Sequence, residues 1–135
     1  MALPPFTDSG VLPPGDHVLT LTELAESMLV CGPGDLDRYP NWDADWRRTL
    51  VGNLGILVRQ LWHGGIHDVF IDGSFVEDKQ HPNDIDGYFH CDLTRLASGE
   101  LERELIASHI NNDARPTIGR PGWGVHGWNH ATLLC

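Results

Sequence analysis

The chain has 135 residues, 41% of them hydrophobic and 21% charged, which fits one small domain with a single core. Nine basic residues stand against 19 acidic ones, a formal net charge of −10. That excludes a protein that simply neutralises the phosphates of duplex nucleic acid, and it disfavours a surface drawn to anionic lipid. No apolar run nears the roughly 20 residues of a membrane span. The start, Met1-Ala2-Leu3-Pro4-Pro5, lacks the basic and apolar regions of a secretory signal. Cys31, Cys91 and Cys135 are odd in number and lack metal-type spacing, as expected of reduced thiols in a cytoplasm.

Residues 1–18 hold two Leu-Pro-Pro units, Leu3-Pro4-Pro5 and Leu12-Pro13-Pro14, and read as an extended, loosely packed arm. A core is expected over 19–108. Thr20, with Glu23 three residues on, reads as a capping box opening a short helix. Leu21, Leu24, Ala25 and Met28 form its apolar stripe, and Gly32-Pro33-Gly34 stops it. A long helix is predicted from Trp42 or Asp43 to His63. Trp46, Leu50, Leu54, Leu57 and Leu61 recur at helical spacing, while Arg47, Arg48, Asn53, Arg59 and Gln60 fall on the solvent side. Gly52 and Gly55 weaken this helix by roughly 1 kcal/mol each, unless they mark a close contact with a neighbour.

The pattern then turns β-like. Val69-Phe70-Ile71 predicts a short buried strand, Glu77–Asn83 a polar turn, and Ile85–Cys91 a second strand. Ser98-Gly99-Glu100 caps a predicted third helix carrying Leu101, Leu105 and Ile106. Residues 109–135 read as an irregular tail rich in Gly and Trp, with one candidate strand at Ala131–Leu134.

The acidic middle of the chain carries the chemistry. Residues 61–108 hold ten acids and three bases, a net of −7, and include the single lysine, Lys79. The first strand delivers Gly73-Ser74, and nine residues later Asp84-Ile85-Asp86 opens the second. Alternation puts Asp84 and Asp86 on one face about 7 Å apart, a spacing that suits oxygen-liganded Mg²⁺. Gly73 leaves room for a phosphate, and Ser74 with its backbone N–H can hold one.

Gly-Ser followed after nine residues by Asp-x-Asp resembles the signature of the polymerase-β-like nucleotidyltransferase superfamily. The stretch from Leu12 to Leu105 looks more closely like a family of uncharacterised bacterial nucleotidyltransferase-like proteins. The likeness rests on Leu12-Pro13-Pro14-Gly15, on Leu19–Leu24, on Asp72-Gly73-Ser74-Phe75-Val76 through Lys79, and on Pro82-Asn83-Asp84-Ile85-Asp86. It implies an α/β (α+β) fold, a small mixed sheet flanked by helices, with a divergent or truncated C-terminal end. It also implies transfer of NMP from an NTP to a hydroxyl on a protein, an RNA or a small molecule. Asp84 and Asp86 would be the catalytic metal ligands for Mg²⁺ or Mn²⁺, and Gly73, Ser74 and Lys79 the phosphate grip. Lys79 reads equally well as an exposed turn cation.

Superfamily enzymes place a third carboxylate on a later strand. After Glu104 the sole acid is Asp113, in a polar stretch that does not read as a strand. The expectation is therefore that this ligand is absent or unrecognisable. The alternative function is a catalytically incomplete fold acting as a binding or regulatory partner of a second protein chain, of toxin–antitoxin or phage-defence type. Trp123 and Trp128 would anchor such a contact, and Arg115 and Arg120 would face the acidic site. Of the eight histidines, His126 and His130 stand at helix-type metal spacing, in a glycine-rich setting that makes a helix unfavourable. His81 reads as a turn residue before Pro82.

Overall fold

The computed structural model describes residues 3–15, 17–90, 112–117 and 131–133. The expected third helix, Cys91, Cys135, His126, His130, Trp123, Trp128 and Arg120 lie outside the described residues.

Thr20 caps the first helix as its sequence predicts. Its hydroxyl accepts from Glu23 N at 3.1 Å, and the Glu23 carboxylate accepts from Thr20 N at 3.0 Å. The helix is broken, however, into α1 (Leu21–Glu26) and α2 (Met28–Cys31). Ser27 sits between them in extended backbone and caps the second piece, its hydroxyl accepting from Leu29 N. Serine competes with the helical backbone in this way and favours a cap over a helix interior.

The long helix α3 runs Ala44–His63 with Asp43 as its cap, Oδ1 accepting from Trp46 N at 3.0 Å. Leu50, Leu54, Leu57 and Leu61 are buried as the spacing predicts, joined by Val51 and Val58. Two readings of this helix need correction. Gly52 has nothing within 4 Å of where a Cβ would stand, and Gly55 faces only Arg59 of its own helix, so neither marks a close neighbour. Arg47 is not on the solvent side; it is fully buried.

Five strands form one mixed sheet in the order β1-β5-β2-β3-β4. They are β1 (His17–Leu19), β2 (Val69–Asp72), β3 (Ile85–His90), β4 (Asn112–Thr117) and β5 (Ala131–Leu133). The two outer pairs, β1 with β5 and β3 with β4, are parallel; β2 runs antiparallel to both β3 and β5. The expected small mixed sheet with helices is thus present. The segment expected to be an irregular tail contributes two of its strands, and β5 lies inside the sheet between β1 and β2.

Period-2 alternation sorts the sheet into two faces. Val69, Ile71, Ile85 and Phe89 fall on one, at 4% exposure or less, and join Leu50, Leu54, Leu57, Val58 and Leu61 of α3 in the core. Burying each such side chain contributes roughly 1.5–3 kcal/mol. The arm is not loose either. Leu12 is fully buried, Leu3 and Phe6 pack on the core, and Val11 bridges to Glu77. Its two Leu-Pro-Pro units lack helix and strand, but their leucines are apolar enough to be drawn inward.

Candidate functional site

The face of the sheet turned away from α3 carries Asp84, Asp86 and Tyr88 on the β3 side, and Phe70 and Asp72 on β2. Phe70 stacks on Tyr88 with centroids 4.9 Å apart. Asp72 is the register partner of Asp86, so the two acids share this face. Both Asp84 and Asp86 are half-buried.

β2 ends in Gly73, which opens a 3₁₀ turn over Gly73–Val76. Gly73 has φ +74°, a backbone that L side chains rarely adopt. A Cβ there would stand 2.5 Å from Asp86 Oδ2 and 3.1 Å from its Cβ. Glycine is therefore required twice, for the turn and for the approach of the carboxylate. The Gly-Ser turn and the Asp-x-Asp strand are one site. Ser74 is half-buried, and its carbonyl accepts from Glu77 N at 3.2 Å. Lys79 is exposed.

The remaining acid comes from a strand that the sequence conceals. β4 pairs parallel to β3 with Asp113 as the register partner of Asp86. Positions 72, 86 and 113 thus form a row across three neighbouring strands. Among the described residues no three His, Cys, Asp or Glu side chains make a ready metal cage. The expectation that the stretch around Asp113 is not strand-like is corrected: it forms β4. Pro116 disguised β4: a proline removes a ladder donor and argues against a strand, except at an edge. β4 ends the strand order and pairs with β3 alone.

Between the Gly-Ser turn and Asp84, residues 77–83 are held by the N-terminal end of α3. Gln80 O accepts from Asp43 N at 3.1 Å, and its side chain accepts from Asn41 N at 2.6 Å. The Trp46 indole donates to Pro82 O at 2.6 Å, and its ring stacks on His81 at 5.3 Å. His81 Nδ1 lies 3.0 Å from Asp43 Oδ2. His81 is thus tied to the helix cap. The bond from Trp46 N, and then the one to His81, hold the Asp43 carboxyl below its ordinary range. Asp78 is fixed from the other side. Tyr39 Oη donates to its carboxylate at 2.9 Å, and Asp78 N donates to Gly10 O. Burial, and then this bond to an acid, push the Tyr39 hydroxyl pKa up.

Arg47 reaches the same loop from within the core. It donates to Phe75 O and Leu29 O at 2.7 Å, to Glu77 O at 3.1 Å and to Lys79 O. Sequence reasoning missed it because arginine on a helix is solvated by default. The one available signal was its place beside Trp46, three residues before Leu50.

No helix among the described residues is long and apolar enough to cross a membrane. No curated protein and no solved structure matches the chain. A protein family does match, over a span from the arm through β4 that takes in every site residue above. The chain belongs to this family, described as a Family of unknown function (DUF6932), with residues 4–120 matched.

Proposed function

We propose that the chain is a metal-dependent nucleotidyltransferase that moves NMP from an NTP to a hydroxyl acceptor on a protein, an RNA or a small molecule, the hydroxyl oxygen bonding to the α-phosphorus, pyrophosphate leaving and the hydroxyl proton passing to solvent. The observation that carries this reading is the register Asp86↔Asp113, which adds a third acid to the edge holding Asp84 and Asp86. Crowded carboxylates repel one another, and a hard divalent cation with oxygen preference relieves that repulsion. The donor set therefore fits Mg²⁺ or Mn²⁺, with Asp84, Asp86 and Asp113 as ligands. When bound, the ion would neutralise triphosphate charge and favour ionisation of the acceptor hydroxyl.

The chain's own residues do the rest. Gly73 keeps the turn open, and the Ser74 hydroxyl and backbone N–H hold the β- and γ-phosphates. Lys79, exposed on the same loop, offers a cation to the phosphates from the solvent side. The pinned loop keeps the phosphate grip and the carboxylates in a fixed relation, so substrate binding orders little new backbone. The alternative, a catalytically incomplete fold acting as a regulatory partner, rests on the lack of a later strand with an acid, and β4 is such a strand. An exposed free thiol at Cys31 suits the cytoplasmic setting of this reading.

Incubation with α-labelled NTPs and Mg²⁺, against candidate protein, RNA and small-molecule acceptors, tests the proposal. Label should move to an acceptor with the wild-type chain and not with Asp86→Asn. Label transfer that survives Asp86→Asn, or that never occurs with any NTP, would overturn it.

A further inference from the structure

α3 buries a permanent cation without a carboxylate in salt-bridge range among the described residues. Arg47 is 0% exposed, and burial lowers its pKa to about 10. A buried charge is tolerated only where dipoles replace its water. Here the replacements are four backbone carbonyls and two aromatic faces. The guanidinium carbon lies 4.1 Å from the Trp42 ring centroid and 4.9 Å from that of Phe75. Three of the four carbonyls, those of Phe75, Glu77 and Lys79, belong to the segment that links Gly73-Ser74 to Asp84. The fourth, Leu29 O, is on α2. Glu77 O and Lys79 O come from irregular backbone, and Leu29 O and Phe75 O from the short helical pieces Met28–Cys31 and Gly73–Val76, whose last carbonyls have no partner further along the helix.

We infer that Arg47 is the positioning residue of the site: one guanidinium gathers the carbonyls of the β2–β3 connection and thereby sets Gly73-Ser74 against Asp84 and Asp86. Its consequence for ligand binding rests on the metal-site reading proposed above. The geometry explains why the residue is arginine. A planar fork with five donors reaches several acceptors at once and stacks between rings. Lysine has a single ammonium point and cannot span Leu29 O, Phe75 O, Glu77 O and Lys79 O together. The clamp also couples elements distant in sequence, since α2, α3 and the loop meet on one side chain.

The test compares Arg47→Lys with Leu61→Ala, a core variant near the opposite end of α3 from Arg47. Calorimetry with Mn²⁺ alone and amide hydrogen exchange are read on both, with thermal melts to match their stability losses. In Arg47→Lys, amides of residues 74–83 should exchange at least tenfold faster relative to those of α3, and Mn²⁺ affinity should fall about tenfold. Leu61→Ala should lower the melting temperature and leave both readouts as in wild type. If Arg47→Lys does not fold, Trp42→Leu, which removes one aromatic face and the indole's bond to Val30 O but none of the guanidinium's donors, should loosen the same amides to a smaller degree. Equal behaviour of Arg47→Lys and Leu61→Ala in exchange and in Mn²⁺ affinity would overturn the inference. Should the wild-type chain itself fail to bind Mn²⁺, the metal reading falls, and the exchange comparison alone decides the clamp.

Discussion

The two faces of the β2–β3 pair are built from alternate residues of the same two short stretches, 69–72 and 84–90, yet they meet opposite demands. Toward α3, Val69, Ile71, Ile85 and Phe89 are buried and apolar. Away from it stand Asp72, Asp84 and Asp86, with the Phe70–Tyr88 stack behind them. One face holds the domain together, and the other gathers acidic residues of the kind that a hard cation takes as ligands. Stability and chemistry are thereby separable by substitution.

The largest effect should fall on the acidic face. Asp86→Ala should reduce NMP transfer by roughly three orders of magnitude, about 4 kcal/mol of transition-state stabilisation, measured with labelled NTP and Mg²⁺. The double variant Asp84→Ala, Asp86→Ala should lose the rise in melting temperature that Mg²⁺ or Mn²⁺ gives the wild type by mass action. An undiminished rise in the double variant would put the ions elsewhere.

The converse substitution lies across the sheet. Leu57, 2% exposed, packs α3 against the apolar face. Leu57→Ala should cost about 2–5 kcal/mol in denaturant unfolding and leave Mn²⁺ affinity within twofold of wild type. A parallel loss of affinity would mean that the faces are not separable.

Gly73 lies where the two demands meet. Gly73→Val places a branched side chain at positive φ and against the Asp86 carboxylate. NTP binding by calorimetry should be lost, with a destabilisation of about 1–3 kcal/mol from the strained backbone. Normal binding would leave Gly73 as a strand terminator alone.

The smallest effect is at the pinned loop's edge. The Asp43 carboxyl titrates below its ordinary value in the folded chain. Its contribution to stability is therefore complete above the unfolded value, near pH 4, and fades as pH falls through the lower folded value. Asp43→Asn should flatten that acid limb in pH-dependent thermal melts and change little at neutral pH. An unchanged acid limb would remove Asp43 from the account.

Much of the apolar face was legible because it is local. The 4, 4, 3, 4 spacing of Trp46, Leu50, Leu54, Leu57 and Leu61 follows from helix geometry alone, and the Thr20–Glu23 box from capping chemistry. Gly73, Ser74, Asp84 and Asp86 were also readable, since strand alternation places them without reference to the rest of the chain. What escaped depends on distant partners. Arg47 is buried because four carbonyls from α2 and the loop wait for it. Asn112–Thr117 is a strand because β3 offers it an edge, and Ala131–Leu133 because β1 and β2 leave a place between them. Leu12 enters the core from a proline-rich arm that local pattern leaves outside.

The proposed site requires β2, β3 and β4 to bring their acids to one metal edge. Titrating the full chain with Mn²⁺ and following paramagnetic broadening of backbone amides tests it most directly. The amides around Asp72–Ser74, Asp84–Asp86 and Asp113 should broaden first and together, and Asp113→Asn should shift that broadening to higher Mn²⁺ concentration. Broadening that spares residues near Asp113, or that begins at the exposed His63 and His67, would contradict it.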